Sequence, residues 1–97
     1  MGSNTKTESY FVFMNYDPEY ERLRADNKGK KETNELDLYL SQKHDEILAR
    51  TLEPGSYKKI LSLVIVDGFS AEITEQQANV LRSAKEVRLV EKNQELK

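Results

Sequence analysis

The chain has 97 residues, of which 33% are charged and 37% hydrophobic, and its formal net charge is -2. This length predicts one small domain. The slight negative charge gives no electrostatic reason to expect nucleic acid or an anionic membrane as a partner. No apolar run approaches the ~18 residues that span a bilayer, and the lack of cysteine excludes disulfides and thiolate metal sites.

The N-terminal third predicts one strand between two polar segments. Residues 1–9 lack the apolar segment of a secretory signal and are expected to be a disordered leader. Ser9 to Asn15 is aromatic and β-branched, which predicts a strand. Its alternation places Phe11 and Phe13 on one face, with Tyr10, Val12 and Met14 on the other. Residues 17–34 are dense in charge without a clean period and are expected to form a solvated loop or a frayed helical turn.

The middle of the chain predicts a helix and a hairpin. Thr33 or Asn34 can cap a helix that continues to Leu52, where Glu53-Pro54-Gly55 ends it. Lys58 to Val66 is the most apolar stretch and predicts a strand. Asp67-Gly68 then predicts a tight turn, because glycine tolerates a positive φ.

The C-terminal third predicts strand, helix and strand. Phe69, Ala71 and Ile73 alternate with polar residues, as in a half-buried strand. Thr74 and Gln77 have the spacing of a capping box for a helix to about Lys85. Val87 to Glu91 predicts the last strand of a domain over residues 10–91, and residues 92–97 form a polar tail.

The predicted order β-α-β-β-α-β indicates an α+β fold, the ferredoxin-like plait. In this fold a four-stranded antiparallel sheet carries two helices on one face. Right-handed crossovers leave few alternatives.

Two helices cover only one face of such a sheet, yet its first two strands carry apolar residues on both faces. If Phe69, Ala71 and Ile73 pack under the helices, Ser70 and Glu72 point outward, and we assign Ser62 and Val64 to the same outward face. An exposed apolar patch usually marks a partner surface. The alternative is that the charged loop covers part of this face.

Catalytic and cofactor chemistry is not indicated. His44 is the only histidine, and without cysteine it offers neither a zinc site nor a nucleophile–base pair. It is expected to be a surface or half-buried helix residue. No phosphate-binding glycine motif occurs. We therefore predict a protein that is not an enzyme and has no cofactor or metal.

Several segments together resemble the propeptides of subtilisin-like serine proteases, especially those of plants. The similarity runs from Tyr10-Phe11-Val12-Phe13 to Val87-Arg88-Leu89-Val90-Glu91. Its most specific parts are Asp67-Gly68-Phe69-Ser70 and Thr74-Glu75-x-x-Ala78-x-x-Leu81. Lys43-His44 stands where a histidine pair is frequent, which suggests a divergent subfamily.

The resemblance implies a secreted inhibitor and intramolecular chaperone that is monomeric when free. Its partner would be the cognate catalytic domain, which docks on the open sheet face that includes Ser70, Glu72, Ser62 and Val64. Glu72 would cap helix N-termini of the protease. The tail, with Glu95, Leu96 and Lys97, would lie in the substrate cleft as a product-like strand.

Two alternatives of other classes remain open at the level of sequence. An RNA-binding plait would use Phe11 and Phe13 to stack bases, although the chain is slightly acidic and lacks the usual aromatic motif in its third strand. A regulatory plait would instead dimerise through its open face.

Overall fold

Four strands and three helices form the part of the chain that the computed structural model describes, residues 6–26 and 34–93. In chain order they are β1 (Glu8–Met14), α1 (Pro18–Asp26), α2 (Asn34–Thr51), β2 (Lys58–Leu63), β3 (Gly68–Ile73), α3 (Glu75–Arg82) and β4 (Val87–Lys92). The strands form one antiparallel sheet in the order β2-β3-β1-β4. The predicted α+β plait is therefore confirmed, with one helix more than expected.

The main core lies between the sheet and helices α2 and α3. The β3 residues Phe69, Ala71 and Ile73 are completely buried there. From β1, the core receives Tyr10, Val12 and Met14. Both alternations were predicted from the sequence, and together they place the opposite side chains of the central strands on an open face.

Helix α1 occupies the first part of residues 17–34, where a solvated loop or a frayed helical turn was expected. No helical repeat of apolar residues is evident in this segment, because only two of its residues, Tyr20 and Leu23, are buried. These two pack against Leu36 and Leu40 of α2 in a second apolar cluster. Asp17 accepts a hydrogen bond from the Glu19 backbone N–H at 3.0 Å, and Pro18 suits the first helical position. Residues 27–33 lie outside the described ranges.

The hairpin turn differs from the predicted tight turn at Asp67-Gly68. The chain reverses over Val64 to Asp67, and Gly68 already pairs with Leu63. Gly68 does not have a positive φ, unlike Gly55 (φ 81°) after α2. Glycine is required because a Cβ at position 68 would lie 2.7 Å from the Val12 carbonyl oxygen. The close approach of β1, rather than the turn, therefore accounts for this residue.

The element ends agree with several local signals and correct others. Thr74 and Gln77 form the predicted capping box, with hydrogen bonds of 2.9 and 3.1 Å. Helix α3 stops at Arg82, before Lys85. Strand β1 begins at Glu8, inside the segment expected to be a disordered leader, and β4 extends to Lys92. Residues 1–5 and 94–97 are outside the described part of the chain.

Candidate functional site

The sheet face opposite the helices carries a continuous apolar patch, here called the open face. Strand pairing arranges its side chains in rows across the sheet. The row nearest the β2–β3 turn contains Leu63, Gly68, Phe13 and Leu89, and the next row contains Leu61, Ser70, Phe11 and Glu91. Leu61 and Leu89 remain 45% and 39% exposed. An apolar surface of this kind is typical of a binding site for another protein.

Aromatic rings occupy the centre of the open face. Phe11 and Phe13 lie on one strand with ring centroids 6.4 Å apart and planes inclined by 27°. The Arg88 guanidinium lies 5.9 Å from the centroid of the Phe13 ring. A cation over an aromatic face is attracted by the ring quadrupole. The rings therefore form an aromatic surface that is partly exposed to solvent.

Ser70 and Glu72 both lie on the side of β3 that faces away from the helices. Ser70 is only 5% exposed, because its small side chain sits between Leu61 and Phe11. Glu72 is exposed and pairs with Ser9 and Lys58 in the row farthest from the turn. The open face is thus apolar toward the turn and polar at its other end.

Ser62 and Val64 do not lie on the open face, contrary to the prediction from the sequence. The Ser62 hydroxyl is 2.8 Å from Nδ1 of His44 on α2, so it points toward the helices. Val64 follows β2 and packs against the α1–α2 cluster. The reason is an irregularity in β2, where the register with β3 shifts between Lys59 and Leu61. Beyond such a bulge, the residues that face outward change.

The C-terminal strand leaves the sheet at the end farthest from the β2–β3 turn. There the Lys92 ammonium lies 2.6 Å from the Glu8 carboxylate, and its hydrogen bond lowers the pKa of Glu8. The Asn93 backbone N–H donates to the Ser9 carbonyl at 2.9 Å. These contacts fix where the tail begins, whereas Glu95, Leu96 and Lys97 lie outside the described residues.

His44 is completely buried, contrary to the expectation of a surface or half-buried residue. Its Nε2 lies 2.9 Å from the Asp67 carboxylate, and its ring packs against Phe69 with centroids 4.9 Å apart. A signal was present in the sequence. His44 follows Leu40 by four residues and precedes Ile47 and Leu48 by three and four, which places it on the buried face of α2.

The buried polar cluster around His44 holds the β2–β3 turn in place. Asp67, at the end of that turn, also forms an ion pair with Lys43, which in turn lies 2.7 Å from Asp17 at the start of α1. Ser62, His44 and Asp67 are residue types of a serine hydrolase triad. Because His44 is completely buried, however, no substrate can reach these side chains. The cluster therefore ties the turn to α1 and α2.

Asp17 makes the stability of this cluster depend on pH. Burial raises the pKa of Asp17, but hydrogen bonds from Lys43 and Tyr39 outweigh that effect and hold the pKa below its ordinary value. A lowered folded-state pKa gives stability that is present above the unfolded pKa and is lost as the pH falls through the folded pKa. The relevant window lies below about pH 4.

We therefore expect Asp17→Asn to remove part of the loss of stability on acidification. Urea unfolding at pH 6 and at successive values down to pH 2.5 measures this effect. The gap between wild type and variant should be largest at pH 6 and should narrow in acid. Asp37→Asn, on the exposed side of α2, is the matched control. A gap for Asp17→Asn that stays constant across this range would contradict the role assigned to the carboxylate.

Comparison with protein families is decisive for the class of this domain. The sequence model of the family described as peptidase inhibitor I9 matches residues 23–97. The chain belongs to the peptidase inhibitor I9 family. Membership confirms the prediction that this segment is an inhibitor domain rather than an enzyme.

Relatives of this I9 domain are plant subtilisin-like proteases. It is 35% identical over 101 residues to subtilisin-like protease SBT2.5 of Arabidopsis thaliana, in an alignment that covers 89% of the chain and 12% of the relative. It is 38% identical over 56 residues to subtilisin-like protease SBT2.6 of the same plant, covering 57% and 7%. The chain thus spans about an eighth or less of these proteins. No solved structure matches it.

The described residues contain neither a candidate metal site nor a candidate membrane span. Within residues 6–26 and 34–93, no three histidine, cysteine or acidic residues are grouped so that they could hold a metal ion. In the same ranges, no helix has the length and apolar character needed to cross a membrane.

Proposed function

We propose that this I9 domain is the propeptide of a subtilisin-like serine protease and inhibits the cognate catalytic domain. The observation that carries the proposal is the apolar open face, which nothing in the described chain covers. Family membership and the plant relatives support a subtilisin-like protease as the partner. Secretion is part of the same proposal and rests on the resemblance.

The first step of inhibition is docking of the open face. Burial of Phe11, Phe13 and Leu89 against a partner removes apolar area from water, which is the main favourable term in association. Ser70 would allow the protease surface to approach the sheet closely, because its small side chain projects little from the middle of the open face. Glu72, at the polar end, would accept hydrogen bonds from a helix N-terminus of the protease.

The second step is delivery of the tail to the substrate cleft. Strand β4 ends at Lys92, beside the Glu72 end of the face, and the ion pair with Glu8 fixes this exit point. From there the segment with Glu95, Leu96 and Lys97 would pair with an edge strand of the cleft through backbone hydrogen bonds. Docking on the face lowers the entropic cost of placing this short segment.

A chaperone role follows from the same contacts. A domain that binds only the folded catalytic domain stabilises it by mass action, and the catalytic domain likewise stabilises the folded propeptide. The free domain, which we propose to be monomeric, should therefore unfold at a lower temperature than the complex.

Titration of a plant subtilisin-like protease with the chain tests the proposal. We expect full inhibition, and we expect weaker inhibition after deletion of residues 94–97, which removes the cleft contact but keeps the folded domain. Binding to a catalytic domain whose nucleophilic serine is replaced by alanine should raise the unfolding midpoints of both proteins. If related plant proteases keep full activity at a saturating concentration of the chain, and if neither unfolding midpoint moves, the proposed function is wrong.

A further inference from the structure

A second exposed apolar surface lies at the turn end of the sheet, away from the tail. Tyr16 is 79% exposed, Ile65 80% and Val66 45%. Tyr16 follows β1, whereas Ile65 and Val66 belong to the β2–β3 turn. We call these three residues the turn-end surface. Single exposed apolar residues are ordinary, but three that converge from two segments call for an explanation.

The turn-end surface borders a groove of about 540 Å³. Tyr20 of α1 and Met14 of β1, both nearly buried, contribute to its lining. Arg24 of α1 and Arg88 of β4 also line it, together with the carboxylates of Asp17, Glu21 and Asp67. Lys43 pairs with Asp17 and Asp67, and Glu21 lies 4.0 Å from Arg24, whereas Arg88 forms no ion pair among the described residues. The groove therefore combines apolar walls with one available guanidinium group, a composition that suits an apolar side chain with a carboxylate beside it.

The turn that presents Ile65 is braced from beneath. The Tyr20 hydroxyl lies 2.7 Å from the Val64 carbonyl oxygen and 2.9 Å from that of Ile65, so it can donate to either. At the end of the turn, Asp67 is bound by His44 and Lys43. Because these contacts hold the turn in place before binding, its backbone loses little conformational entropy when Ile65 contacts a partner.

Helix α1 is the element that builds this groove. It packs in a cluster with α2 that is separate from the main core, so the sheet and the other two helices bury their shared core without it. Its contributions at the turn end are the Tyr20 brace and Arg24, which lies 4.0 Å from Glu21.

The turn-end surface is continuous with the open face. The outermost row of that face, which includes Leu63, Phe13 and Leu89, is adjacent to the turn. Arg88 joins the two surfaces, because it lines the groove and lies over the Phe13 ring. Among the described residues, no carboxylate forms an ion pair with Arg88, so its charge is available to an acidic partner group.

We propose that the turn-end surface is a second docking region for the same protease that binds the open face. It receives an apolar side chain of the catalytic domain, with a protease carboxylate beside Arg88 and near Arg24. This proposal rests on the proposed function. Because the tail leaves from the opposite end of the sheet, the second region adds affinity and selectivity among proteases without entering the substrate cleft.

Replacement of Ile65 tests the apolar contact. Ile65→Glu should raise the inhibition constant for a plant subtilisin-like protease about tenfold or more, mainly through faster dissociation. Leu38→Glu is the matched control, since Leu38 is 60% exposed on α2, and it should change the constant less than about twofold. Both variants should keep the wild-type unfolding midpoint.

Replacement of Arg24 tests the charge. Arg24→Glu should slow association at low salt, and the difference from wild type should shrink as salt screens the interaction. If the wild-type chain inhibits the protease and Ile65→Glu has the same inhibition constant, the second docking region is wrong and the proposed function stands. If the chain self-associates and Ile65→Glu abolishes this association without changing inhibition, the turn-end surface binds a second copy of the chain instead of the protease. Absence of inhibition by wild type would overturn both proposals.

Discussion

Phe69→Ala is expected to lower the free energy of unfolding by about 4 kcal/mol, because a fully buried aromatic side chain leaves a cavity when it is truncated. Phe69 lies in the core between the sheet and the helices and packs against the His44 ring. Domains of this size have a total stability of roughly 5–10 kcal/mol. The unfolding midpoint should therefore fall by about 20 °C.

Phe11→Ala is the matched control for this prediction. The substitution is the same, but Phe11 lies on the open face and is only partly buried, so the expected cost is about 1 kcal/mol. Urea unfolding of the three proteins measures both values. Equal losses for the two variants would show that β3 does not present Phe69 to the helices.

Leu89→Lys is expected to weaken inhibition of a plant subtilisin-like protease about 100-fold, because docking would bury an ammonium group within an apolar interface. Leu89 pairs with Phe13 in the row of the open face nearest the turn and is 39% exposed. Its replacement should change the free energy of unfolding by less than about 1 kcal/mol. The variant should therefore be a folded domain that has lost its binding surface.

Leu38→Lys is the control for Leu89→Lys, with the same change of side chain at a site away from the open face. Inhibition constants and unfolding midpoints, measured on the same preparations, separate loss of binding from loss of folding. If both lysine variants inhibit like wild type, the open face is not where the protease docks.

Local patterns in the sequence were sufficient for most of the secondary structure. The alternation in β1 and β3 predicted which side chains enter the core, because successive residues of a strand point to opposite faces. The capping box of α3 was readable because its hydrogen bonds join residues three positions apart. Helix α1 was predicted at most as a frayed turn, since only Tyr20 and Leu23 are buried on an otherwise charged segment.

The candidate site was less accessible to sequence reasoning. The open face was anticipated from the excess of apolar residues in the first strands, and Ser70 and Glu72 were placed on the correct side of β3. Ser62 and Val64 were not, because a bulge in β2 changes which residues face outward. The spacing of His44 from Leu40 and Leu48 indicated burial, but its partners Ser62 and Asp67 come from other elements.

Periodicity, capping and family motifs are properties of short segments, so the α+β architecture and the inhibitor character of this domain could be predicted from its amino-acid sequence. The way in which the hairpin turn is held, and the surfaces left exposed to a partner, depend instead on tertiary contacts. Gly68 illustrates the difference: its local signal indicated a turn, whereas its lack of a Cβ serves the contact with Val12. Contacts between residues distant in the chain decide such positions, and no local pattern records them.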